Sequence, residues 1–128
     1  RIVFLGAGAS GAGCALAVRD ALRGAGVAER DLAQRVLCLD SQGLIVNDRP
    51  GLAGAKQLIA TDPGLVATWR REGDGSLRLP EVIRQFAPHV LVGVSGQPGA
   101  FTEAIVRDMA VAGPPIILAL SNPTSRVE

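Results

Sequence analysis

At 128 residues, 48% hydrophobic and 20% charged, the chain has the size and composition of one folded domain and not of a disordered segment. Thirteen basic and twelve acidic residues are interspersed and leave a formal charge of +1, which excludes the one-sided basic surface that nucleic acid or an anionic membrane requires. No charged leader with an apolar core and no uninterrupted apolar run of about 18 residues is found, so neither a signal segment nor a spanning helix is expected.

RIVFLG, at the start, is a short β-forming run closed by glycine and suits a buried strand. Because the chain opens directly on that strand and on Arg1, it reads as a piece of something longer. From Ala9 to about Gly24 the residues favour helix. Ala15, Val18 and Leu22 are expected on its buried face and Arg19, Asp20 and Arg23 on the solvated one. Gly24 and Gly26 stop it. AERDLAQ adds a helical turn, and RVLCLD is a second buried strand ending at Asp40. The turn-rich DSQGLIV then predicts that Leu44 to Val46 fold back as a hairpin.

Residues 47–60 read as connection, with a short helix at 52–59, and PGLVATWRRE reads as helical. GDGS is an exposed turn. LPEVIRQF predicts an amphipathic helix with Pro80 in its first turn. HVLVGVS is a third strand. FTEAIVRDMAVA is a helix with a stripe of Phe101, Ile105 and Met109, flanked by Val106 and Ala110. IILALS is a fourth buried strand before Asn122 and Pro123. Strands alternating with helices predict an α/β fold with a parallel sheet. Cys14 and Cys38 sit in apolar runs as core thiols, in keeping with a reduced, cytoplasmic setting. His89 and Trp69 read as structural, the latter as a half-buried anchor.

In open parallel sheets ligands bind beyond the carboxyl ends of the strands. The four expected strands end at Gly6-Ala7-Gly8, Asp40, Ser95-Gly96 and Ser121-Asn122, so four separate segments bring glycine or polar residues to one edge. Gly6 permits a tight turn, Gly8 admits a pyrophosphate to the backbone, and Gly11 lets helix pack on strand. The helix N-terminus offers free N–H groups and a positive dipole end, and Ser10 a hydroxyl. Asp40 is placed for a ribose diol. It lies further on than the usual spacing of about 20 residues, the surplus being AGVAERDLAQ, and an ordinary turn-capping Asp remains the alternative. Asn122 carries both a donor and an acceptor. With no Tyr, one Lys and one His, the chain lacks a nucleophile–base pair and any metal-ligand spacing.

FLGAGASGAGCA, LDSQGLIV, VLVGVSGQPGAFTEAIVRDMA and IILALSNPTS resemble, in that order, the NAD-binding domain of malic enzymes, the oxidative decarboxylases that convert malate to pyruvate and CO2. GVSGQPGAFTE and ALSNPTS are the specific blocks. The resemblance implies that residues 1–128 form one NAD(P)-binding domain. Its fold would be Rossmann-like and doubly wound, with a mostly parallel sheet and a hairpin after the second strand. It implies NAD or NADP as cofactor, Mg or Mn in the full-length enzyme, and a homo-oligomer. Gly6, Ala7, Gly8, Ala9 and Ser10, with Gly11 behind them, would cradle the pyrophosphate, and Asp40 with Ser41 would face the adenosine ribose. Ser95 and Gly96 would line the cofactor cleft, and Asn122 would reach the nicotinamide and the substrate. The family's catalytic Tyr and Lys and its acidic metal ligands lie upstream of the glycine motif, so no catalytic or metal-binding residue is expected here.

Between Asn47 and Ser76 the family pattern is faint, and this stretch bears on cofactor choice. Asp40 repels a 2′-phosphate and favours NAD. Ser41, Arg49 and Lys56 could serve such a phosphate, and Arg49 could neutralise Asp40. The expectation is NAD, with NADP as the alternative. A non-catalytic NAD-sensing module and the cofactor domain of another dehydrogenase, such as one acting on an amino acid, are the competing functions.

Overall fold

The computed structural model describes residues 1–121 and places in them five strands, five helices and one 3-10 turn. The order is β1 (Ile2–Leu5), α1 (Ala9–Gly24), α2 (Glu29–Leu32), β2 (Val36–Asp40), β3 (Gly43–Leu44), α3 (Ala55–Ile59), the 3-10 turn Pro63–Val66, α4 (Leu79–Phe86), β4 (Val90–Gly93), α5 (Glu103–Ala110) and β5 (Ile116–Ala119). The sheet runs β3-β2-β1-β4-β5. β2, β1, β4 and β5 are parallel, with Phe4 level with Cys38 on one side and Val92 on the other.

Alternation along the strands splits the core in two. Val3, Leu5, Leu37, Leu39 and Leu91 face α4 and α5 and pack with Val82, Ile83, Phe86, Ile105 and Met109. Phe4, Val36, Cys38 and Val92 face the opposite way, against Ala12 and Ala15 of α1 and Ile59 of α3. Helices therefore cover both faces, as the family resemblance implies for a doubly wound sheet. The expected hairpin is present. Gly43 and Leu44 pair antiparallel with Asp40 and Leu39, and Val46 goes on to bridge Thr61.

Several local expectations are corrected. α1 buries Gly11, Ala12, Ala15 and Arg19, while Val18 and Leu22 are only partly buried. The helix lies so close to the sheet that glycine and alanine form its inner stripe and larger apolar side chains move to the flanks. Arg19, expected in solvent, is 8% exposed, and Cys14, expected in the core, is exposed. PGLVATWRRE forms only the 3-10 turn, capped by the Asp62 side chain accepting from the Gly64 amide. Arg70 beyond it is held by the Gln85 amide, which accepts from its N–H and donates to its carbonyl. The helix expected at 52–59 shortens to α3 because Gly54 sits at φ +58° just before it.

On α5, Ile105 and Met109 are buried as expected, but Val106 and Ala110 face solvent. β5 is not a buried strand. It forms the sheet edge, and alternate side chains Ile116 and Leu118 are exposed because α5 covers only the Ile117 face. Trp69 is a half-buried anchor tilted against Phe86, its ring centroid 6.3 Å away. His89 is exposed at the head of β4, at the other end of the strand from the glycine turn.

Candidate functional site

The sheet order places β1 and β4 side by side while their connections leave in opposite directions, β1 towards β2 and β4 towards β5. A crevice opens at such a switch point, outside the carboxyl ends of the strands. Here it is a cleft of about 350 Å³ whose wall includes Gly6, Gly8, Asp40, Lys56, Ser95 and Gly96. Ala7 and Ser41 also line it, as does Gln97, which sequence reasoning missed.

Backbone geometry explains the glycines. Gly6 sits at φ +114°, and a Cβ there would lie 2.7 Å from the Ser95 amide nitrogen, so the β1 and β4 ends touch only through glycine. A Cβ on Gly11 would lie 2.0 Å from the Gly6 carbonyl oxygen and 2.9 Å from Val94 Cγ2, so α1 is pressed directly onto the turn. Among the described residues Gly8 has nothing within 4 Å of its Cβ position and leaves room for a ligand against the backbone. Gly8 is also the N-cap of α1. Among the described residues no side chain caps that end, and its first turn carries no acidic residue, so its N–H groups and positive dipole end stay available. Ala9 and Ser10 are exposed in that first turn. Ser95 lines the cleft, and its Oγ is buried with no hydrogen-bond partner among the described residues. Buried hydroxyls are rarely left so, and this one is suited to a ligand's polar atom.

Asp40 closes the cleft at the end of β2. Its Oδ1 accepts from the Gln42 amide and Arg49 Nη1, both at 3.0 Å, and its Oδ2 from Arg49 Nη2 at 2.5 Å and Lys56 Nζ at 2.7 Å. Two acceptor sites on each oxygen are thus filled. Burial raises the carboxyl's pKa, but the hydrogen bonds from Arg49 and Lys56 outweigh it and hold the value at about 2. The Asp40 side chain is 10% exposed against 18% for Arg49 and 40% for Lys56, so Lys56 is the partner most readily displaced. The neutralising role expected of Arg49 is present, and Lys56 shares it. Arg78 donates to the Ser41 carbonyl at 2.9 Å and pins the hairpin turn beside Asp40.

Asn122 lies outside the described residues. Among the described residues no cluster of three or more His, Cys, Asp or Glu could hold a metal ion. The chain therefore brings Gly6, Ala7, Gly8, Asp40, Ser41, Ser95 and Gly96 together from three of the four expected strand ends, with α1's first turn at one side, while Ser121 does not line the cleft. Glycine backbone, free helix N–H groups and an orphaned hydroxyl fit the pyrophosphate and neighbouring groups of a dinucleotide; Asp40 fits a ribose diol only where Lys56 gives way.

Comparison with known proteins points the same way. The family description "malic enzyme, NAD binding domain" matches residues 1–128. An NAD-dependent malic enzyme of Shewanella denitrificans is 43% identical over 129 aligned residues, covering 100% of this chain and 23% of that protein. One from Sodalis glossinidius is 40% identical with the same coverage, and one from Edwardsiella ictaluri is 41% identical over 99% of this chain and 22% of its own length. The chain spans under a quarter of the length of these relatives. A five-stranded doubly wound sheet, a glycine turn at its switch point and a match running end to end agree that this chain belongs to the family of malic enzyme NAD-binding domains.

Proposed function

We propose that this domain holds NAD across the cleft at the ends of β1, β2 and β4 and serves as the cofactor-binding part of a malic enzyme that converts malate to pyruvate and CO2. The observation that carries the reading is the contact of Gly11 with the Gly6 carbonyl. It turns the uncapped α1 N-terminus towards the open space at Gly8. Gly6 to Ser10 would hold the pyrophosphate through backbone N–H groups. Ser95 Oγ, with Gly96 beside it, would donate to or accept from the dinucleotide's polar atoms. Asp40 and Ser41 would face the adenosine ribose. Asn122 would reach the nicotinamide and the substrate. NAD, when bound, supplies the hydride acceptor.

A divalent Mg or Mn belongs to the same reading of the intact enzyme. The described residues do not fit it, since no cluster of three or more His, Cys, Asp or Glu occurs among them. A cytoplasmic, homo-oligomeric enzyme completes the proposal; two free cysteines, one of them exposed, suit a reducing compartment. One observation favours NADP instead: Arg49 and Lys56 converge where a 2′-phosphate would lie.

Calorimetric titration with NAD and with NADP, alongside Asp40→Ala, tests both. Tighter NAD binding that Asp40→Ala weakens supports the NAD reading. Tighter NADP binding transfers the adenosine contact to Arg49 and Lys56. Absence of binding to either by a folded protein overturns the proposal.

A further inference from the structure

We propose that Arg19 is a positioning residue for the adenosine end of the cleft: it seats α3 so that Lys56 meets Asp40, and so biases the site between a plain and a 2′-phosphorylated ribose. This rests on the dinucleotide reading above. Arg19 belongs to the buried stripe of α1 and spends its hydrogen bonds on backbone carbonyls, with no carboxylate hydrogen-bonded to it among the described residues. Its Nη1 donates to the Leu58 carbonyl at 2.9 Å, and its Nη2 to the Ile59 carbonyl at 2.9 Å and the Val36 carbonyl at 3.0 Å. Leu58 and Ile59 end α3, so one guanidinium ties the last turn of α3 to α1 and to the start of β2.

A five-residue helix cannot sustain itself, and its final carbonyls have no partner within the helix. A cation against that end satisfies them and complements the dipole. The Gln57 side chain only reaches back to Leu52, in the loop that leads into the same helix. Lys56 stands one turn before Ile59, and from that seat its Nζ reaches Asp40 Oδ2 at 2.7 Å. The order of dependence is Arg19, the end of α3, Lys56, Asp40.

The consequence for ligand choice follows from the saturation of Asp40. A ribose diol can be accepted only by taking the place of Lys56, whereas a 2′-phosphate finds Lys56 and Arg49 already convergent. Loosening α3 therefore relieves the diol of a competitor and deprives the phosphate of a cation. Both effects raise the ratio of the NADP Kd to the NAD Kd. A residue that merely stabilised the fold would weaken both dinucleotides alike.

The test is equilibrium binding of NAD and NADP to the intact protein that contains this domain, with Arg19→Met and Arg19→Lys, each alone and combined with Lys56→Ala. Arg19→Met is expected to raise the ratio about three- to five-fold, the range of one partly exposed ion pair, with Arg19→Lys smaller and in the same direction. In the Lys56→Ala background both shifts should vanish. Equal weakening of the two dinucleotides, or a shift that persists without Lys56, overturns the inference. Should Arg19→Met fail to fold, the Arg19→Lys comparison across the two backgrounds decides it by the same criteria. Wild-type protein that binds neither dinucleotide overturns the site reading and this inference with it. Wild-type binding with an unmoved ratio overturns this inference alone.

Discussion

Two alanine substitutions on one helix, Gly11→Ala and Gly13→Ala, should act with opposite sign. Both positions lie inside α1, where alanine is favoured over glycine by about 1 kcal/mol. At Gly13 nothing lies within 4 Å of the added Cβ, so the propensity gain stands and the variant should be about 0.5–1 kcal/mol more stable. At Gly11 the Cβ falls 2.0 Å from the Gly6 carbonyl oxygen, far inside the 3.4 Å at which ordinary contact begins. The obstacle is backbone, so α1 or the turn must shift bodily. Such overpacking costs about 3 kcal/mol, leaving Gly11→Ala roughly 2 kcal/mol less stable than wild type. Thermal denaturation should then separate the two variants by roughly 10 °C for a domain of this size. Gly11→Ala should also bind dinucleotide at least about tenfold more weakly, since a shift of this kind moves the N–H groups proposed to hold the pyrophosphate. Gly11→Ala melting at or above wild type would refute the claim that the helix is pressed onto the turn.

Other outcomes follow from the same geometry. Ser95→Ala removes a buried hydroxyl without a partner, so the free protein should be no less stable, while NAD binding weakens about fivefold; isothermal titration with a melting curve reads both. With its pKa lowered from 3.8 to about 2, Asp40 adds stability in full above about pH 4 and loses it as pH falls through about 2. The stability gap between wild type and Asp40→Asn should therefore narrow over that window, and a gap independent of pH would contradict the ion-pair account. Under native alkylation Cys14, exposed, should react while Cys38, buried and with its thiol pushed up to about 12, should stay unmodified until the protein is unfolded; mass spectrometry distinguishes the two. Thr102→Ala removes the side-chain cap that accepts from the Ile105 amide at 3.3 Å and should cost about 1 kcal/mol in denaturant unfolding.

Much of the site was legible because strand ends and glycine spacing are local properties. A β-forming run, a turn that demands positive φ at Gly6 and a helix-forming stretch can be read in order, and the parallel sheet then brings Asp40 and Ser95 to the same edge. What the linear pattern misread was burial. Arg19 looked solvated because periodicity records polarity and not what a long side chain can reach; only the approach of α3 and the start of β2 supplies the three carbonyls that bury it. Cys14 looked apolar by its neighbours yet faces solvent, since the buried stripe of α1 runs through Gly11, Ala12, Ala15 and Arg19 and leaves Cys14 off it.

The sequence by itself determined the alternation of elements, the glycine turn, the hairpin and the family, because each depends on residues near one another in the chain or on whole-length similarity. The tertiary structure alone decided that Asp40 is already saturated. Its partners Arg49 and Lys56 lie in the stretch where the pattern was faintest, and their meeting depends on how hairpin and α3 fold back over the end of β2. Ion pairing depends on distance in space, and a connecting segment without periodicity carries no record of where its charges arrive.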